Sequence, residues 1–319
     1  MGMNKTYFEI VRAGVNTTIQ DKGRNHLYHI GIAVSGAIDQ RNYTLSNRLV
    51  ENQLDEPVLE FAYQGPLLKL KNGKINFAIS GDIFFKIIRK NLEVEDGECY
   101  KSYILDEEDQ IDIISTKNST YGYLAVNGGF DLEKTWGSYS INTKANIGPN
   151  NGKKYSINDK IFIKKIDTKS AINKKINYDY STDNIIRIIK GTNFDYFSKD
   201  AIDKFFNEDF LITNLVDRMG IRLKGPKLEN IENTNIKSEG LVRGVIQVPA
   251  DGNPIIMLSD HGTVGGYPKI GVVITADLDL VGQLTPGTKI NFKEVSLEEA
   301  QNIFKAYTED TNKYLNECN

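Results

Sequence analysis

Short apolar runs, broken by glycine, asparagine and aspartate, set the rhythm of this chain. Residues 7–12, 58–63, 67–70, 75–80, 83–88, 111–114 and 121–126 are each four to six residues long and rich in Ile, Val, Phe and Tyr. That length and composition predict strands, and their close spacing predicts a barrel or sandwich and not a parallel sheet wrapped in helices. Residues 160–166 close this run of strands, and residues 17–24 between the first two runs predict an irregular polar segment. Helical periodicity appears at 38–51, where Ile38, Leu45 and Leu49 share a face, at 198–207, and at 297–315, where Ala300, Ile303, Phe304 and Tyr307 do. Residues 167–184, rich in Lys, Asn, Ser, Asp and Thr, predict a linker. Beyond it the pattern restarts: Ile185 to Gly191 echoes Phe8 to Gly14, and Gly225-Pro226-Lys227-Leu228 echoes Gly65-Pro66-Leu67-Leu68. The expected organisation is a β-barrel unit over 1–166, the linker, and a second β-barrel unit over 185–319 that ends in a helix.

The polar positions concentrate after strand ends. Residues 255–258 predict a buried strand, and Asp260-His261-Gly262-Thr263-Val264-Gly265-Gly266-Tyr267 follows it. A carboxylate, an imidazole, a hydroxyl and a phenol thus share one loop with three glycines, which suit sharp turns or close approach of backbone to a ligand. The same loop also fits a tight turn whose polar groups cap nearby backbone. Asn127-Gly128-Gly129 is a second such loop after a strand, with amides able to form an anion nest. Ser35 and Gly36 stand at the mouth of the 38–51 helix with Asp39 in its first turn, placed either to bind an anion or to cap the helix. Arg24 and Arg218 are candidate clamps for a substrate carboxylate; alternatively Asp21 and Arg24 pin the first loop to the helix at Asp39, and Asp217 and Arg218 form an internal salt bridge that fixes a loop.

Composition narrows the chemistry. The 319 residues carry a net charge of −3 with 40% hydrophobic residues, and the pI is near 5.8. This excludes electrostatic nucleic-acid binding as the main role. No apolar run approaches the roughly 20 residues of a membrane span, and the N-terminus lacks the apolar core of a signal peptide, so the expectation is a cytoplasmic protein. Two cysteines, Cys99 and Cys318, make no disulfide framework, and three histidines, His26, His29 and His261, lack a carboxylate pattern for a metal, so none is expected. Neither a P-loop nor a dinucleotide fingerprint is present.

Five motifs occur in order: Thr17-Thr18-Ile19-Gln20-Asp21-x-Gly23-Arg24, Val34-Ser35-Gly36-Ala37-Ile38-Asp39, Leu124-Ala125-Val126-x-Gly128-Gly129, Asp217-Arg218-Met219-Gly220-x-Arg222-Leu223-x-Gly225-Pro226 and Gly265-Gly266-Tyr267-Pro268-Lys269. With them the chain resembles the family of allophanate hydrolase subunit 2 and biotin-dependent carboxyltransferase-type proteins, over nearly its whole length. The resemblance implies a mainly β fold of two cyclophilin-like barrels. It also implies the role of a C-type subunit in an ATP-dependent 5-oxoprolinase, acting with B-type and A-type subunits on a small-molecule substrate. ATP, with Mg, is then the expected cofactor. Two alternatives are a carboxyltransferase component served by biotin and a regulatory antagonist that sequesters a kinase-inhibitor partner. On this basis His261, Asp260 and Thr263 are the expected catalytic residues. Arg24, Ser35, Asp39, Asn127, Gly128, Gly129, Arg218, Gly265, Gly266 and Tyr267 are the expected substrate and phosphate contacts, converging on one cleft.

Overall fold

A computed structural model describes residues 5–166, 168, 170–179, 183–231 and 235–318. The chain divides into two compact units, one of Met1–Arg24, Ser35–Tyr180 and Thr311–Asn319, the other of Asn25–Val34 and Ser181–Asp310. Parts of the expected linker, residues 167, 169 and 180–182, lie outside the described residues. Among those described, no helix is long and apolar enough to cross a membrane.

The first unit holds strands β1 (Tyr7–Arg12), β2 (Asn16–Gln20), β3 (Val58–Ala62), β4 (Leu67–Lys71), β5 (Ile75–Ser80), β6 (Ile83–Ile88), β7 (Val94–Asp96), β8 (Ser102–Leu105), β9 (Gln110–Thr116), β10 (Tyr121–Val126) and β11 (Lys160–Phe162), and helix α1 (Gln40–Leu49). They form a six-stranded sheet, β11-β1-β4-β9-β6-β7, and a five-stranded sheet, β2-β3-β10-β5-β8. Phe8, Ile10, Leu68, Phe85 and Ile111 of the first sheet pack with Leu59, Phe61, Phe77, Ile79 and Leu124 of the second in one core. Strands β3, β5 and β10 are buried at every position, and α1 lies on β5 and β10. Burial on both faces explains why these strands are mainly apolar along their whole length, whereas β4 alternates. The polar segment expected over 17–24 is in fact partly strand β2. Its polar groups are satisfied locally, Gln20 Nε2 donating to Thr18 Oγ1 at 3.0 Å and to the Ile141 carbonyl at 2.9 Å, while Ile19 enters the core.

The second unit contains β12 (Ile185–Lys190), α2 (Lys199–Asn207), β13 (Phe210–Asp217), β14 (Gly220–Lys224), β15 (Glu239–Gly240), β16 (Val245–Gln247), β17 (Ile255–Met257), β18 (Val264–Gly265), β19 (Lys269–Val273), α3 (Leu278–Gln283), β20 (Lys289–Glu294) and helix α4 (Leu297–Asn316) as far as Asp310, the rest of α4 belonging to the first unit. Seven of these strands close a barrel in the order β12-β19-β16-β17-β14-β13-β20, and β15 pairs with β18 as a separate two-stranded flap. The chain is mainly β, as its pattern predicts, with complete closure in the second unit and two facing sheets in the first. Phe205 of α2 stacks on Phe292 of β20 with ring centres 4.4 Å apart, filling part of the core.

Register fixes what the barrel shows outward. Ile221, Ile256 and Ile246 pair across β14, β17 and β16 and are fully buried, forming an inner row. One residue along, Arg222 pairs with Ile255, Ile255 with Gln247, and Gln247 with Lys269. Because successive side chains point to opposite faces of a sheet, Arg222, Ile255 and Gln247 form a row on the outer face, and Lys269 stands opposite Gln247 across a register shift between Ile246 and Gln247.

Candidate functional site

In the first unit the sequence-predicted residues are engaged with one another and with nearby backbone. Asp21 accepts from the hydroxyls of Ser138 and Ser140 at 2.6 Å each and from the N–H groups of Gly23 and Tyr139. Arg24 is buried and donates to the Ser140 carbonyl. Ser35, at φ 59°, accepts from Asn142 Nδ2 at 3.1 Å. Asp39 caps α1, its Oδ1 accepting from the Asn42 N–H at 2.8 Å and its Oδ2 from Asn42 Nδ2 at 2.6 Å. Around this mouth the Ala37 N–H donates to the Asp21 carbonyl, the Ile38 N–H to the Glu60 carboxylate at 2.8 Å, and the Asp39 N–H to the Tyr123 hydroxyl at 2.8 Å. The fully buried Glu60 thus occupies the place an external anion would take at the helix N-terminus. The Tyr123 phenol is pushed well up, first by burial and then by the charges of Glu60 and Asp39. In the second loop the Asn127 N–H donates to the Asn76 carbonyl, the Gly128 N–H to Asn52 Oδ1 at 2.7 Å, and the Gly129 N–H to the Val126 carbonyl. All three amides of that loop therefore have protein partners in place of an anion.

In the second unit Arg218 pairs with Asp260 of the loop after β17. Its Nε and Nη2 donate to Asp260 Oδ2 at 2.8 Å and Oδ1 at 3.1 Å, with both side chains buried. Asp217 accepts from the N–H groups of Met219 and Gly220, closing the β13–β14 turn. His261 is buried and sits against Tyr28, whose hydroxyl lies 3.3 Å from Nε2, while Nδ1 lies 2.6 Å from the Gly262 carbonyl. A carbonyl only accepts, so Nδ1 carries the proton and Nε2 accepts from Tyr28. Burial holds the imidazole below its ordinary range, neutral near pH 7. Thr263 is half-buried, and its carbonyl accepts from the Leu241 N–H. Gly265 lies in the flap opposite Glu239, and the Gly266 carbonyl accepts from the Ile236 N–H. A Cβ at Gly265 would stand 2.6 Å from Gln247 Nε2, so this glycine is where the flap rests on the Gln247 amide.

A cavity of about 480 Å³ opens beside that amide, lined by residues that include Asp217, Arg222, Gln247, Ile255, Met257 and Tyr267. Of the residues expected from sequence, only Tyr267 lines it. Sequence reasoning missed Arg222, Gln247 and Lys269 as site residues. The Arg222 guanidinium makes no hydrogen bond or ion pair among the described residues, although Asp251 of an adjoining cavity of about 260 Å³ feels its charge. Gln247, 2% exposed, donates Nε2 to the Tyr267 carbonyl at 3.2 Å, and its Oε1 has no such bond among the described residues. Opposite Gln247 across the register shift, the buried Lys269 ammonium donates to Glu239 Oε2 at 2.6 Å. This hydrogen bond, more than any other contact, holds the Glu239 carboxyl below its ordinary range. No group of three or more His, Cys, Asp or Glu able to hold a metal occurs among the described residues.

Comparison with known proteins places this geometry in context. The family described as "Carboxyltransferase domain, subdomain A and B" matches residues 30–294. The chain is similar to the C subunit of 5-oxoprolinase from Escherichia coli K12, 30% identical over 92% of each chain. It is also similar to urea amidolyase of Saccharomyces cerevisiae, 28% identical over 93% of this chain and 17% of the other. Among solved structures, the urea amidolyase of K. lactis superposes with a TM-score of 0.87 at 25% identity over 97% of this chain, which spans 20% of that one. By name the bacterial relative is one subunit of a hydrolase system, whereas the two urea amidolyases hold the matching region within much longer chains. The chain belongs to the carboxyltransferase domain family, subdomains A and B.

Proposed function

We propose that this chain is the C-type subunit of an ATP-dependent 5-oxoprolinase, which opens 5-oxo-L-proline to L-glutamate together with B-type and A-type subunits. The observation that carries this reading is the Arg222 guanidinium, without a hydrogen bond or ion pair among the described residues, beside the apolar Ile255 and Met257 in the barrel-side cavity. A cation next to an apolar floor suits a substrate with a carboxylate on a hydrocarbon ring. Urea, small and uncharged, has neither, which favours the lactam over the carboxyltransferase alternative. The described amides of Asn127, Gly128 and Gly129, and those at the α1 mouth, already have protein acceptors. ATP is therefore assigned outside these two loops, and no step of the reaction is routed through them. In this reading Arg222 takes the carboxylate-anchoring role expected from sequence of Arg218 and Arg24. Asp260 holds Arg218 in place, and His261, with Nδ1 on the Gly262 carbonyl and Nε2 on the Tyr28 hydroxyl, lies outside the lining of the cavity.

The test is reconstitution. ATP hydrolysis stimulated by 5-oxo-L-proline should appear when the chain is combined with B-type and A-type subunits and be absent from the chain alone. Stimulation by urea, or none by 5-oxo-L-proline in the full mixture, would overturn the assignment.

A further inference from the structure

We infer that the outer row Arg222–Ile255–Gln247 is a binding site for a small cyclic amide bearing a carboxylate, with Gln247 as the residue that determines specificity. The inference rests on the 5-oxoprolinase reading for the identity of its best ligand, but the site follows from the register. Arg222, Ile255 and Gln247 lie opposite one another on three adjacent strands, β14, β17 and β16. Neighbouring strands are about 4.8 Å apart, so the two polar positions stand about 10 Å apart at the backbone, with one strand between them. That middle strand contributes Ile255 and, one pair further along the outer face, Met257 opposite Gly220. The absence of a side chain at Gly220 leaves the floor open there.

A five-membered lactam laid on Ile255 and Met257 directs its carboxylate to Arg222, where a guanidinium can donate two parallel hydrogen bonds. The opposite edge of the ring then meets the Gln247 amide. Its Nε2 donates one hydrogen to the Tyr267 carbonyl at 3.2 Å and has a second to give. The edge of the ring away from the carboxylate carries the lactam carbonyl, an acceptor for that second hydrogen. Gly265 holds the amide from above, so Gln247 meets the ligand without rearrangement. Ligand selection thus has two separable components, charge at Arg222 and the amide edge at Gln247.

Calorimetric titration of the purified chain separates them, using three probes: 5-oxo-L-proline, 2-pyrrolidinone, which lacks the carboxylate, and L-proline, which lacks the lactam carbonyl. The wild-type chain should bind 5-oxo-L-proline most tightly. Arg222→Met should weaken it roughly ten- to hundredfold and leave 2-pyrrolidinone unchanged. Gln247→Met should bring 5-oxo-L-proline close to L-proline. Met257→Trp, which fills the floor and touches neither polar group, should weaken 5-oxo-L-proline and 2-pyrrolidinone, and circular dichroism shows whether each variant keeps its fold. If wild-type chain fails to bind 5-oxo-L-proline at millimolar concentration, or if folded Arg222→Met and Met257→Trp bind as wild type, the site is refuted. Binding here without 5-oxoproline-dependent ATP hydrolysis in the reconstituted mixture would sink the functional assignment alone. Hydrolysis with no binding here would sink the site alone.

Discussion

Replacing Asp260 with asparagine tests whether this residue, expected from sequence to act in catalysis, instead serves to neutralise Arg218. The substitution keeps the shape and removes the charge. The Arg218 side chain is 7% exposed and that of Asp260 2%, and two hydrogen bonds of 2.8 and 3.1 Å join them. Removing one member of so buried a pair leaves an uncompensated charge and costs about 3–5 kcal/mol. The pair links the β13–β14 turn to the loop after β17, and the Asp260 N–H also donates to the Arg218 carbonyl at 2.8 Å. That backbone bond survives the substitution, which places the expected loss near the lower end of that range. Urea melts followed by far-ultraviolet circular dichroism measure it, as a lower midpoint at unchanged slope. Arg218→Met combined with Asp260→Leu removes both charges and should be more stable than either single variant, because no buried charge is left alone. A loss below about 1 kcal/mol for Asp260→Asn, or a double variant as unstable as the two singles added, would show that the pair does not act as derived.

Three further outcomes are expected. Tyr123→Phe leaves the Asp39 N–H without its acceptor in a fully buried site and should destabilise the first unit by about 1–3 kcal/mol in the same melts. His261 has a depressed pKa in the folded state, so below about 6.5 the unfolded chain binds a proton that the folded chain does not. Stability should therefore fall as pH drops from about 6.5 toward the lower folded value, and His261→Gln should flatten that part of a stability–pH curve. Gly265→Ala places a methyl group 2.6 Å from Gln247 Nε2 and should weaken 5-oxo-L-proline binding in the titration above by displacing the amide.

The strands are largely legible in the sequence because burial at every position makes β3, β5 and β10 short, mainly apolar runs, with Glu60, Asn76 and Ser80 as buried polar exceptions, and α1 is marked by Asp39 at its start. The β13–β14 hairpin is not legible. Its register shifts between Ile212 and Val216, and that irregularity, with the polar Asp217-Arg218 turn, destroys the period-two signal. Candidate-site residues show as polar types beside glycines, yet their partners do not. Arg218 has one acid beside it in the chain and another far along it, and only the fold brings Asp260 to its guanidinium. Arg222, Gln247 and Lys269 lie far apart in sequence and are brought together only when β14, β17, β16 and β19 pair. A local motif cannot contain that information.

The segment Thr311–Asn319 belongs with the first unit, although residues of the second precede it in the chain. There the Leu315 carbonyl accepts from Arg48 Nε at 2.8 Å, Tyr314 packs on Tyr178, and Leu315 and Cys318 are buried. During synthesis, this makes the unit that is translated first the one that is finished last. A ribosome adding roughly 5–20 residues per second needs on the order of ten seconds to travel from residue 180 to residue 311. Throughout that interval the nascent first unit presents the surface around Arg48 uncovered. A stalled or prematurely terminated chain therefore carries its defect in its oldest part, where a chaperone or protease meets it before translation is complete.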